Sequence, residues 1–244
     1  AEVSEIVVTS LPGPKEVEAI AIGEDGIVHG LQGGTVYIDL STNSPTTVRR
    51  IAEGITAAGG HMLDAPVSGG PMGAEAGTLA IMVGGDEAVF QRALPVLETL
   101  GKDITYVGGI GSGTVAKLVH NAISMATRIA VQEGMTLAVK AGVSPSKMLE
   151  ALRGGAFGKQ LILTSHIPEL VLKGDFDHPR FSLGLAHKDV SLALELAEEL
   201  GVPMGMAALA DEELVRGIER GWAHRDNSVT YLLAEERAGV EVRE

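Results

Sequence analysis

Cysteine is absent from the 244-residue chain. That absence removes disulfide frameworks, a thiol nucleophile and zinc–thiolate sites, and it is compatible with a reducing compartment. Aromatic residues make up only 3%, and the 19 Lys and Arg are outnumbered by 32 Asp and Glu, giving a formal net charge of -13. Such a chain repels phosphate backbones and anionic lipid, so no nucleic-acid or membrane-surface partner is expected. No run approaches the ~18 apolar residues of a membrane span. The opening AEVSEIVVTSLPG lacks the basic start and long apolar centre of a signal peptide, so a cytoplasmic location is expected. The seven histidines, among them His29, His61, His120 and His166, show no H-E-x-x-H or paired His/carboxylate spacing, and no metal is expected.

What is present changes character near Gly108. Before it, short β-branched runs at residues 5–11, 34–41, 61–68 and 79–85 alternate with helical stretches such as 45–58 and 86–100. That alternation predicts an α/β layer with a largely parallel sheet. After it, apolar residues recur at helical spacing over about 115–141, 144–152, 162–172, 183–200 and 206–220, so the second part is expected to be all helical. Gly142 to Pro145 (GVSP) and Gly201 to Met204 (GVPM) each read as a helix stop followed by a new start. The last residues, RAGVEVRE, read as a solvated tail.

Two clusters carry chemistry. In DAPVSGGPMGAEAGTLA, residues 64–80, glycines crowd around Ser68. Bare backbone of this density suits either tight turns or a ligand that approaches the main chain closely. Ser68, Gly69 and Gly70 follow a predicted strand end, where successive N–H groups and a hydroxyl can receive a carboxylate. Gly73 and Gly77 are read as turn and packing glycines. Ser68 stands in S-G-G rather than in the G-x-S-x-G elbow of a serine hydrolase. Lys117 and Asn121 lie four apart and so share one helix face. A lysine whose pKa is lowered by burial or a neighbouring cation can move a hydroxyl proton, and an amide beside it can hold the substrate without changing charge. His120, next to Asn121, is read as a packed or solvent-facing residue, because Lys117 already supplies a proton carrier.

These segments resemble the β-hydroxyacid dehydrogenase family, typified by 3-hydroxyisobutyrate dehydrogenase. Asp64 to Ala74 matches the family's D-A-P-V-S-G-G-x-x-G-A throughout, and GSGTVAKLVHN, from Gly111 to Asn121, matches its G-x-G-x-x-x-K-x-x-x-N. FSLGLAHKD, from Phe181 to Asp189, matches a third segment, and the family's LP and ST elements find counterparts in Leu11-Pro12 and Ser41-Thr42. The resemblance runs over nearly the whole chain, in the family's order and spacing.

The resemblance implies a partial Rossmann-type nucleotide-binding domain over residues 1–108 and an all-helical substrate and dimerisation domain over 109–244. It implies NAD or NADP as cofactor, contacted by Leu11, Pro12, Thr42 and Lys188. Ser68, Gly69, Gly70, Phe181 and Asp189 would bind a short 3-hydroxy acid or its semialdehyde, with Lys117 and Asn121 catalytic. A homo-oligomer is expected, because the helix over 115–141 is longer than one domain face usually buries. Family members also begin with a strand and a G-x-G-x-x-G turn that holds the cofactor pyrophosphate. Here Ala1 falls where a later strand of that sheet would begin, so a longer natural protein is expected. A non-catalytic scaffold on the same fold is the alternative.

Overall fold

Alternation at period two builds the sheet of the first unit. The structure, a computed structural model, describes residues 1–140, 142–159, 162–201 and 203–243, with the backbone alone at 133, 134, 137, 156, 159 and 163. Strand β1 (Ile6–Thr9) is followed by helix α1 (Pro14–Ile22), β2 (Val36–Asp39), α2 (Pro45–Ala57), β3 (His61–Asp64) and β4 (Val67–Ser68). Then come α3 (Gly70–Glu75), β5 (Leu79–Gly85), α4 (Glu87–Leu97) and β6 (Gly101–Gly108). On β2, Val36 and Ile38 pack with Leu63, Ile81, Val89 and Phe90. Tyr37, between them, packs with Val17, Val48, Ile51 and Ile55 of α1 and α2. One strand thus feeds a core on each side of the sheet, as a helix-covered sheet requires.

The six strands run in the order β1-β2-β3-β5-β4, with β6 paired to β5. Pairing is parallel from β1 through β3 and between β5 and β6, whereas β5 is antiparallel to β3 and β4. The parallel expectation therefore describes two blocks of a mixed sheet. Residues 61–68, read as one strand, form two. The chain leaves β3 at Ala65-Pro66, and proline cannot donate to a ladder.

Caps mark the helix starts. Ser44 accepts from Thr47 N at 3.1 Å ahead of Pro45, and Asp86 accepts from Val89 N at 3.0 Å ahead of α4. Each such cap contributes about 1 kcal/mol.

Helix α5 (Ser112–Lys140) follows β6, and the two compact units divide within it, after His120. Ala141, the expected end of this helix, lies outside the described residues. The second unit continues with α6 (Pro145–Gly154), a π-helical segment (Ile162–Val171), α7 (Leu183–Glu199), α8 (Gly205–Glu219) and α9 (Tyr231–Ala238). Gly142, with φ 87°, ends one helical stretch, and Ser144 caps the next ahead of Pro145. The C-terminal residues are not a solvated tail. Val242 is fully buried, its N–H donates to Glu235 Oε1 at 2.8 Å, and Arg243 pairs with Glu235 at 3.0 Å. A buried acceptor and one apolar anchor fix a segment whose composition is otherwise that of a loop.

Candidate functional site

In the first unit, the loops that leave the carboxyl ends of β1 and β2 are joined. Leu11 N–H donates to Ser41 Oγ at 2.8 Å, which brings Leu11-Pro12 beside Ser41-Thr42. Beneath them Asp39, 1% exposed, accepts from Ser41 N at 3.1 Å, Asn43 Nδ2 at 3.2 Å and Thr9 Oγ1 at 3.2 Å. Burial pushes the Asp39 carboxyl above the usual carboxylate range, and these donors oppose the shift. The network holds the two loops at the edge where open parallel sheets take dinucleotides. The residues present therefore fit a nicotinamide dinucleotide at this edge. Composition alone did not single out Asp39; its signal is an aspartate at the end of an apolar strand, two residues before Ser41.

Ser68 ends the short strand β4, paired with Ala80 of β5, and is partly buried. Gly69 and Gly70 follow with φ 136° and 61°, conformations closed to most side chains, and both are exposed. The structure thus gives the backbone the open, left-handed path that the glycines suggested. Gly73 is buried, and a Cβ there would meet Leu79 Cδ2 at 3.2 Å, a packing role. Gly77, at φ 61°, serves a turn.

Asp64, the first residue of the same motif, does something the sequence reading did not assign. Fully buried, it accepts from Gly111 N and Thr114 N, each at 2.7 Å, and so caps α5 across 47 and 50 residues of chain. Burial pushes its carboxyl above the usual range while the Thr114 and Gly111 amides oppose the shift. Gly113 fits only as glycine, because a Cβ there would lie 2.3 Å from Met82 O and 2.4 Å from Asp64 O.

The cap fixes the start of the helix that carries Lys117 and Asn121. Lys117 is 8% exposed and Asn121, one turn later, is 6% exposed, whereas His120 between them is exposed. In the second unit Asn121 Nδ2 donates to Asp189 Oδ2, and Lys188 Nζ pairs with Asp189 Oδ1 at 2.9 Å. Asp189, 3% exposed, therefore orients the Asn121 amide and is itself balanced by Lys188. Phe181 stands ahead of α7 and is partly exposed. Among the described residues no group of His, Asp and Glu could hold a metal ion, and no helix is long and apolar enough to cross a membrane.

A family model described as the NAD binding domain of 6-phosphogluconate dehydrogenase matches residues 1–108. A second, described as NAD-binding of NADP-dependent 3-hydroxyisobutyrate dehydrogenase, matches residues 111–234. The chain is 38% identical over 242 residues to 2-(hydroxymethyl)glutarate dehydrogenase of Eubacterium barkeri, covering 99% of this chain and 80% of that protein. It is 40% identical over 227 residues to 2-hydroxy-3-oxopropionate reductase of Escherichia coli, covering 93% and 77% respectively. A solved structure of Mycobacterium tuberculosis 3-hydroxyisobutyrate dehydrogenase with L-serine matches with a TM-score of 0.85 at 31% identity, covering 95% of this chain and 80% of that one. The chain belongs to the β-hydroxyacid dehydrogenase family, NAD(P)-dependent oxidoreductases that interconvert hydroxy acids and semialdehydes.

Proposed function

We propose that this protein oxidises a short 3-hydroxy acid to its semialdehyde, or runs the reverse reduction, with Lys117 as general acid and base. The observation that carries the reading is the buried Lys117 one helical turn before a buried Asn121 whose amide is fixed by Asp189. The substrates named for relatives point to the same class. 2-(Hydroxymethyl)glutarate, 3-hydroxyisobutyrate and L-serine each carry a hydroxymethyl group on the carbon next to a carboxylate.

In this reading Ser68 Oγ and the Gly69 and Gly70 amides receive the substrate carboxylate. Asn121 holds the hydroxyl on carbon 3, and Lys117 Nζ takes its proton during oxidation and returns one to the carbonyl oxygen during reduction. Leu11, Pro12, Thr42 and Lys188 would hold the nicotinamide cofactor, which when bound accepts or supplies the hydride. Phe181 borders the substrate and Asp189 keeps Asn121 in register. Residues 1–108 serve as the dinucleotide-binding part and 109–244 as the substrate and dimerisation part.

Assembly into a homo-oligomer belongs to the same proposal. Met206 and Leu209, three apart on α8, are 61% and 56% exposed, an apolar pair suited to a subunit contact. Light scattering should return a multiple of the chain mass; a monomer mass removes this part.

The direct test assays the full-length protein against a panel of 3-hydroxy acids with NAD and with NADP. Reduction of one cofactor by at least one acid is expected. No turnover across the panel removes the dehydrogenase reading and leaves the scaffold alternative.

A further inference from the structure

In the second unit the main chain of Phe181 is held from both sides. Arg180 N and Phe181 N both donate to Asp226 Oδ2, at 3.0 and 3.3 Å. The Phe181 carbonyl accepts from Asn227 N at 3.0 Å and from Asn227 Nδ2 at 2.7 Å. One dipeptide, Asp226-Asn227, fully buried, thus grips both sides of a residue whose own side chain remains partly exposed. Four hydrogen bonds from one buried dipeptide fix the Arg180-Phe181 backbone, while Phe181 itself is neither core nor fully exposed.

The grip is anchored to α5. Arg128, 7% exposed, donates from Nη1 to Ser228 Oγ at 2.7 Å and lies 3.8 Å from Asp226 Oδ1, while Ser228 N donates to that same oxygen at 2.8 Å. Burial pulls the Arg128 pKa down and the Asp226 charge opposes the shift, as a buried ion pair requires. Arg128 follows Asn121 by two helical turns on the same face of α5. The face that carries Asn121 therefore also carries the charge on which the Phe181 clamp is seated.

We propose that Asp226, seated on Arg128, is a positioning residue for substrate selection: it fixes the Phe181 main chain so that the ring stands at a set distance from Asn121. The clamp rests on the dehydrogenase reading, since it acts on a wall of the substrate pocket that reading assigns. It also makes the size of the group on carbon 2 of the hydroxy acid the property that the clamp controls.

The test is a double-mutant cycle in the full-length protein, with KM, kcat and calorimetric affinity measured for 3-hydroxyisobutyrate and the smaller 3-hydroxypropionate. Asp226→Asn should raise KM for 3-hydroxyisobutyrate about tenfold, with kcat and cofactor KM within about twofold, and should weaken its binding in parallel. In a Phe181→Ala background the same change should move KM less than about twofold. An equal rise in both backgrounds, or no rise in either, overturns the clamp, because a purely structural aspartate would not act through Phe181. If the unpaired Arg128 prevents Asp226→Asn from folding, Asn227→Ser leaves the ion pair intact and removes one bond to the Phe181 carbonyl. It should raise KM about threefold, again only when Phe181 is present, and no such dependence overturns the proposal. A wild-type protein that turns over no hydroxy acid removes the dehydrogenase reading itself, and the clamp with it.

Discussion

Two glycine turns in the first unit share a composition and differ in use. Ser68-Gly69-Gly70 follows β4, and Gly111-Ser112-Gly113 follows β6; each sets one serine among bare backbone at a strand end. The second even continues as G-S-G-T-V-A, the short form of the dinucleotide fingerprint at the entry to a helix. By pattern it is the better anion site. Yet its Gly111 and Thr114 amides are already taken by the Asp64 carboxyl, and Gly113 lies too close to Met82 O and Asp64 O for any side chain. The first turn is exposed and left-handed. One turn packs a helix onto the sheet; the other leaves its backbone open, as the proposed carboxylate site needs. A carboxylate from a distant strand decides between them.

The comparison breaks most visibly on the helix that the filled turn supports. Lys117→Ala should lower turnover at least about a hundredfold while leaving thermal stability and cofactor affinity nearly unchanged. Turnover near that of wild type would remove Lys117 from the chemistry. The next effect concerns the filled turn itself. Asp64→Asn keeps the shape but loses the charge and one acceptor, so denaturant unfolding should show a loss of about 2 kcal/mol, roughly thirtyfold in the folding equilibrium. An unchanged midpoint would mean that the α5 amides do not depend on this carboxyl. The smallest effect should come from Ser112→Ala, whose hydroxyl has no part in the proposed site. Stability should stay within about 0.5 kcal/mol and kcat/KM within about twofold. A large loss of kcat/KM there would exchange the roles of the two turns.

Local chemistry made much of this legible. Gly142 to Pro145 announced a helix stop and a new start, the alternation of β-branched runs with helical stretches announced an α/β layer, and Lys117 with Asn121 showed their shared face by spacing alone. Strand β6 escaped because Lys102 and Asp103 interrupt its apolar pattern and its partner β5 supplies the ladder. The burial of Val242 escaped for a related reason: Glu235, which accepts its N–H, reads as one more surface charge on α9. Asp64 and Asp226 escaped because their partners are distant. Asp64 meets Gly111 across 47 residues, and Asp226 meets Phe181 N across 45. Periodicity reports which face is buried, and it carries no information about which buried carboxylate meets which amide.

The most direct measurement of the central claim sets the two serines side by side. kcat/KM is determined for a 3-hydroxy acid and for an uncharged analogue lacking the carboxylate, in wild type, Ser68→Ala and Ser112→Ala. A hydrogen bond to a charged group contributes about 1.5 to 3 kcal/mol, so Ser68→Ala should lose roughly ten- to a hundredfold on the acid and much less on the analogue. Ser112→Ala should lose little on either. Equal losses on acid and analogue for Ser68→Ala would contradict a carboxylate-receiving turn and leave Ser68 as a local structural residue.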